Sequence, residues 1–188
     1  MILLLLERRP KMVLTSLQAR LTAQMDLTVG KTGDFSSPKA AAGINRVLNF
    51  ALGAGAINAS NEIWYSREIL AISGTNDHLM DATVLNPFGE TVNFDLIRAI
   101  LIINQSDIAW STHVANTTSV LTIGGDVDSV PFLSPVTATL DLHAGDIFLL
   151  TRNTAAGINV TGGTGDVIQV ANSAIESLYD IVVIGDKV

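Results

Sequence analysis

An all-β chain, an antiparallel sandwich or jelly-roll-like barrel with an extended N-terminal arm, is what this sequence predicts, and three observations predict it. Short apolar runs rich in Ile, Val and Leu recur through residues 96–186, each closed by Gly, Asn or Asp. Helical periodicity is scarce. The dipeptide Gly-Asp returns at 125–126, 145–146, 165–166 and 185–186. Two short strands with their turns fit the spacing of 20 residues between copies. Many short strands between glycine-rich turns pack as a sandwich or barrel.

Taken in order, "LTSLQARLTAQM" (14–25) carries both a partial helical stripe, Leu14, Leu17 and Leu21, and a strand-like alternation, and periodicity alone leaves the choice open. "SNEIWYSREILAI" (60–72) has a possible N-cap in Ser60, but its β-branched and aromatic content fits a strand. "LIRAILIIN" (96–104) reads as a strand ending in the turn cluster Asn-Gln-Ser-Asp. "SVLTIGGD", "TATLDLHAGD", "IFLLT", "GINVTGG", "DVIQVAN" and "YDIVVIGD" read as strands with their turns, and "SAIESLY" (173–179) as one helical turn. In each Gly-Asp copy glycine supplies the positive φ of a turn and aspartate caps its neighbour's backbone. The domain organisation expected is an arm over residues 1–14 and one β-sandwich domain over 15–188.

With 48% hydrophobic and 15% charged residues the chain is of packing composition. Its longest apolar block, Ala99 to Ile103, is far shorter than a membrane span, and "MILLLLERRP" has the charge order of a signal peptide reversed, so an unexported soluble chain without membrane contact is expected. The absence of cysteine excludes disulfides, thiolate metal sites and a cysteine nucleophile. Charge is split: residues 1–50 hold seven Lys/Arg against three acids, a net of +4, while the rest holds four against fifteen, a net of −11. An acidic body repels phosphate backbones, so no nucleic-acid partner is expected.

Motifs that carry chemistry are few. "GINVTGGTGDVIQV" (157–170) superficially resembles a calcium-binding nonapeptide, but Asp166 follows Gly165 one place too early and no tandem copy is present; it reads as a turn. "TVGKTGD" (28–34) ends like a phosphate-binding loop, yet Met25 stands where that loop needs its first glycine. "GAGAIN" (53–58) lacks the third glycine of a dinucleotide fingerprint. His78, His113 and His143 are far apart in sequence, and "NDHLMD" (76–81) reads as a polar surface loop rather than a cation site. No Gly-x-Ser-x-Gly elbow occurs. Trp64, Tyr65 and Trp110 are read as packing residues in preference to a sugar-binding platform. The residues point to no catalytic constellation, cofactor, metal or small-molecule substrate.

The linear order of "DLT" (26–28), Asp81 with Pro87-Phe88-Gly89-x-x-Val92-x-Phe94, an apolar strand ending in Asn104, Ala144-Gly145-Asp146, the Gly157–Asn172 hairpin and the closing Tyr179–Gly185 strand resembles small virion structural proteins of tailed bacteriophages. It spans residues 15–186, and departs from that pattern at Ala82 and Asp146. The resemblance implies a capsid decoration (cement) protein, with a tail or head–tail structural protein as the alternative, and a host-glycan or receptor-binding sandwich as a reading from another class. The implied place is the outer capsid surface of a virion, after synthesis in the host cytoplasm. The implied partners are the major capsid protein and copies of this chain, most simply as a trimer. The arm would contact the coat through Leu3, Leu4, Leu5, Leu6, Arg8, Arg9 and Lys11, apolar area joined to basic pairs for coat carboxylates. A chain beginning at Met12 should therefore occupy particles less fully than the complete chain, and equal occupancy by quantitative mass spectrometry would refute the arm's role.

Overall fold

The computed structural model describes residues 18–30, 39–52, 59–81, 84–85, 89, 91–152, 154, 156–172 and 174–187; for 18–30, 39–52 and Ala59 it describes the backbone. The arm residues Leu3, Leu4, Leu5, Leu6, Arg8, Arg9 and Lys11 lie outside them. The described chain is all-β, as its composition and turn spacing predict.

Two long strands, β1 (Gln18–Gly30) and β2 (Lys39–Leu52), pair antiparallel, and the short β3 (Ala59–Ser60) runs parallel to the end of β2. The ambiguous 14–25 segment thus resolves as strand from Gln18 onward, the period-2 pattern prevailing over the leucine stripe.

Nine further strands build two facing antiparallel sheets: β4 (Glu62–Leu70), β5 (Thr75–Leu79), β6 (Leu96–Asn104), β7 (Val120–Gly124), β8 (Thr139–His143), β9 (Ile147–Thr151), β10 (Ile158–Asn159), β11 (Val167–Asn172) and β12 (Ser177–Asp186). One sheet has the order β4–β12–β6, and β9 and β10 pair end to end with the remaining edge of β6. The other has the order β5–β11–β7–β8. Leaving out the two-residue β10, successive strands fall as two jelly-roll sheets of four, so the chain crosses the core at β4–β5, β5–β6, β6–β7, β8–β9, β9–β11 and β11–β12.

Alternation decides what enters the core. Trp64, Ile100, Ile102, Tyr179, Ile181 and Val183 from the first sheet meet Leu121, Ile123, Leu142, Ile168 and Val170 from the second. The β5–β6 connection closes one end of this core with Met80, Val92 and Phe94, all buried.

Asparagine at strand ends is more than turn punctuation here. Asn104 donates from Nδ2 to Leu142 O at 2.9 Å in the facing sheet and accepts Ser106 N–H at 3.1 Å on its Oδ1. Asn172 donates to Leu70 O at 3.1 Å and Ile175 O at 2.7 Å. Of the 173–179 segment expected as a helical turn, residues 174–179 instead bend and enter β12, because Ser177 and Leu178 are already paired with β4.

The Gly-Asp copies divide three to one. Those at 125, 145 and 165 sit at turns: Asp126 Oδ1 accepts Asp128 N–H at 2.7 Å, Asp146 Oδ2 accepts His143 N–H at 2.8 Å, and Asp166 Oδ2 accepts Gly163 N–H at 2.9 Å. The fourth, Gly185-Asp186, is inside β12, a correction to its reading as a turn. There the register with β6 shifts, pairing Ile184 with Ala99 but Gly185 with Ile97. Arg98 is the extra residue of this bulge, and Ile97 takes the core-facing place. A Cβ at Gly185 would run into the Leu96 carbonyl oxygen and lie 2.6 Å from Phe94 Cδ1, so only glycine fits. Arg98, turned out of the core, meets the fully buried Asp186 with Nη2–Oδ2 at 2.6 Å and Nε–Oδ2 at 3.0 Å.

Removing one member of such a pair leaves a charge in low dielectric. Arg98→Met should lower unfolding free energy by about 3–5 kcal/mol in urea titration; a loss below about 1 kcal/mol would show that the pair is not desolvated as its burial requires.

Candidate functional site

Two features stand out once the strands are laid in register: a polar cleft between the free edges of β4 and β5, and the outer face of the β4–β12–β6–β9 sheet.

The cleft begins with alternation. On β4 the inward positions are Trp64, Ser66, Glu68 and Leu70, since their partners on β12 are Val183, Ile181, Tyr179 and Ser177. On β5 the inward positions are Asn76 and His78, opposite Val170 and Ile168. Polar residues thus enter the sandwich from both edges at the same level. Glu68 Oε2 accepts from Asn76 Nδ2 at 2.5 Å and from the Tyr179 hydroxyl at 3.2 Å, and Oε1 accepts from the Ser66 hydroxyl at 2.8 Å. Asn76 Nδ2 also donates to the Tyr179 oxygen at 2.9 Å, and His78 Nε2 lies 2.9 Å from it. His78 Nδ1 is 4.0 Å from Glu68 Oε1. The Trp64 ring packs on the imidazole with centroids 4.8 Å apart.

Burial dominates the electrostatics. It pushes the His78 imidazole below its ordinary range, against the opposing pull of Glu68 and Asp77. Burial, followed by the charge of Glu68, pushes the Tyr179 phenol far above its ordinary range. The ring is held neutral and the phenol keeps its proton. Beside this cluster opens a cleft of about 350 Å³. Glu68, Ser66 and His78 line its polar side, Asp77 joins them from β5, and Leu79, Val84 and Leu85 line its apolar side together with Trp64 and Tyr65.

His78 is therefore no part of a surface loop. "NDHLMD" is a strand and its exit, with His78 and Met80 buried and Asp77 exposed. The expectation failed because the polar residues at 76–78 look solvated in sequence, while the strand buries every second one. His113 is likewise buried: Nδ1 lies 3.1 Å from Glu176 Oε1 and Nε2 3.2 Å from Ser106 O, which ties the β6–β7 loop to the segment before β12. His143 stays exposed on β8, so the three histidines remain apart. Trp64 is buried and takes the packing role, whereas Trp110 is half-exposed, with the Arg67 guanidinium 5.5 Å from its ring centroid. The 157–170 stretch is the β10–β11 connection and its turn.

The outer face of the same sheet is unusual for an antiparallel sandwich. One cross-strand row reads Tyr65, Val182, Leu101, Leu149, and the next Arg67, Asp180, Ile103, Ile147. Arg67 and Asp180 form a two-pronged pair, both N···O distances 2.6 Å, and Gln105 adds a donor to Asp180 at 3.1 Å. The hydrogen bond to Asp180 raises Arg67 further above its already basic range. Apart from that pair the two rows are apolar, and Ile147 is 63% and Tyr65 43% exposed. Across the core, the outer face of the second sheet carries Asp77, Gln169, Thr122 and Asp141, bonded to one another as Gln169 Nε2–Asp77 Oδ1 and Thr122 Oγ1–Asp141 Oδ1, each 2.8 Å.

No family model, no curated protein and no solved structure matches the chain.

The depressed His78 value has a consequence for stability. The unfolded chain binds the proton near the ordinary imidazole value of 6.5 and the folded chain binds it only at lower pH. Stability from the neutral ring is complete above that value and is lost as pH falls through it. As pH falls below about 6.5 the unfolding free energy should drop, and His78→Gln should flatten that part of the curve. An unchanged slope in the variant would place the proton uptake elsewhere.

Proposed function

We propose that this chain is a structural component of a tailed-bacteriophage particle, a decoration protein that binds the outer shell, ties coat subunits together and assembles as a small symmetric homo-oligomer. The observation that carries the reading is the contrast between the two outer faces. An antiparallel sheet with one face on the core ordinarily presents polar side chains on the other, and the β5–β11–β7–β8 sheet does so. The β4–β12–β6–β9 sheet instead presents the Tyr65–Val182–Leu101–Leu149 row, with Ile103 and Ile147 beside it. A contiguous apolar patch of this kind marks a surface that is covered in the working assembly.

The Arg67–Asp180 pair beside the apolar rows supplies a charged element that fixes orientation more than affinity. A rotationally closed oligomer would bury the apolar rows of each copy and leave the acidic sheet outward. This suits a shell-bound module whose exposed body is strongly anionic. The phage particle is proposed from the linear order that resembles small virion proteins, and assembly from the apolar face.

Ile147→Glu places a charge on the face at an already exposed position. The wild-type chain should run as an oligomer in light scattering, and the variant should dissociate at least about tenfold more readily, about 1.4 kcal/mol per contact, with an unchanged far-ultraviolet spectrum. A monomeric wild type would remove self-assembly from the reading. In purified particles the chain should be present at a copy number comparable to the coat subunit; absence from particles would overturn the virion assignment.

A further inference from the structure

We propose that the cleft between β4 and β5 binds an organic cation, an alkyl ammonium or guanidinium group, whose N–H donors sit between Glu68 Oε1 and His78 Nδ1. The proposal is independent of the assembly reading and rests on four observations.

Among the described residues the Glu68 carboxylate accepts from neutral donors: the Ser66 hydroxyl, the Asn76 amide and the Tyr179 hydroxyl. These orient it without neutralising it, and its side chain is still 29% exposed toward the cleft. The acidic body has few cations to spare. Of its four basic side chains, Arg67 pairs with Asp180, Arg98 with Asp186 and Lys187 with Asp95, and none of the four lines the cleft.

The second observation is a facing pair of acceptors. With the Tyr179 proton donated to Glu68, the contact between His78 Nε2 and the Tyr179 oxygen needs its hydrogen on Nε2. Nδ1 then carries a lone pair, 4.0 Å from Glu68 Oε1. Two acceptors at that separation repel unless a donor lies between them. An ammonium or guanidinium group supplies N–H donors to both and the charge that the carboxylate lacks.

Third, Asp77 borders the cleft from the outer face of β5, its Oδ1 tied to Gln169 Nε2 at 2.8 Å, and adds negative charge that His78 senses. Fourth, the remaining wall is apolar or aromatic: Leu79, Val84 and Leu85 for an alkyl stem, and the exposed Tyr65 ring for the face of a cation, with the buried Trp64 behind His78. At about 350 Å³ the cleft is of the size that holds a small ligand or one long basic side chain. The same chemistry serves a free amine and a lysine or arginine presented by another protein.

Calorimetric titration of the complete protein with n-butylammonium and with N-acetyl-arginine methylamide, and with n-butanol as the uncharged control, tests this. Saturable binding of at least one cation and none of the alcohol is expected. Glu68→Gln should weaken it about tenfold or more, the scale of a charged hydrogen bond. Asp77→Asn, at an exposed position outside the buried network, should weaken it about two- to fivefold and covers the case in which Glu68→Gln does not fold. The better ligand identifies the head group, guanidinium for the arginine derivative and alkyl ammonium, free or on a lysine, for butylammonium. Nitrogen-15 spectra of His78 give a second readout: Nδ1 should be unprotonated in the ligand-free protein at neutral pH and shift on saturation. Absence of saturable binding, affinity unchanged in both variants, or a ligand-free Nδ1 that already carries hydrogen would each overturn the proposal.

Discussion

Everything in this sandwich depends on burying one strand on both faces. Of the ten residues of β12 only Val182 is partly exposed. A strand between two antiparallel neighbours has no edge to give to solvent, and its side chains must satisfy the core on one side and an outer layer on the other. The odd-numbered positions Tyr179, Ile181, Val183 and Gly185 serve the core side, and the even-numbered Leu178, Asp180, Val182, Ile184 and Asp186 the outer side. Each polar residue on it is consequently committed. Tyr179 closes the cluster with Glu68, Asn76 and His78, Asp180 takes Arg67 and Gln105, and Asp186 takes Arg98.

That commitment also explains the bulge. The core side has no room beside Phe94 for a side chain at 185, and the outer side must accept an arginine opposite Asp186. Inserting one residue into β6 meets both demands, because it sends Ile97 inward and Arg98 outward within two positions. A regular ladder would have put the guanidinium into the hydrocarbon of the core, where an ion costs on the order of several kcal/mol even after relaxation.

The cleft and the apolar face share β4, whose alternate residues serve each in turn. Ser66 and Glu68 face the cleft interior, while Arg67 belongs to the outer face and Tyr65 borders both. A ligand at Glu68 and a partner over Tyr65 would therefore act on one edge strand, paired on a single side to β12.

Strands from Leu96 to Asp186 were legible because their apolar runs are short, β-branched and closed by turn residues. Three of four Gly-Asp copies do sit at turns, two of them, Gly125 and Gly145, with the positive φ expected, whereas at the third the positive φ falls on Gly163 and not on Gly165. These are local properties, carried by each residue and its neighbours along the chain. The fourth Gly-Asp, the polar run 76–78 and Asn104 read as loop or turn, since the same side chains favour turns when nothing surrounds them. The pairing of Glu68 with residues 8, 10 and 111 positions away, and the apolar outer row built from four separate strands, have no linear signature. They exist only once β4 meets β12 and the two sheets face each other. Thus the amino-acid order by itself determined the class of fold and most of its strands. Which polar residues are buried together, and which apolar ones are left facing outward, was decided by register and sheet pairing, because both depend on contacts across strands that no local pattern encodes.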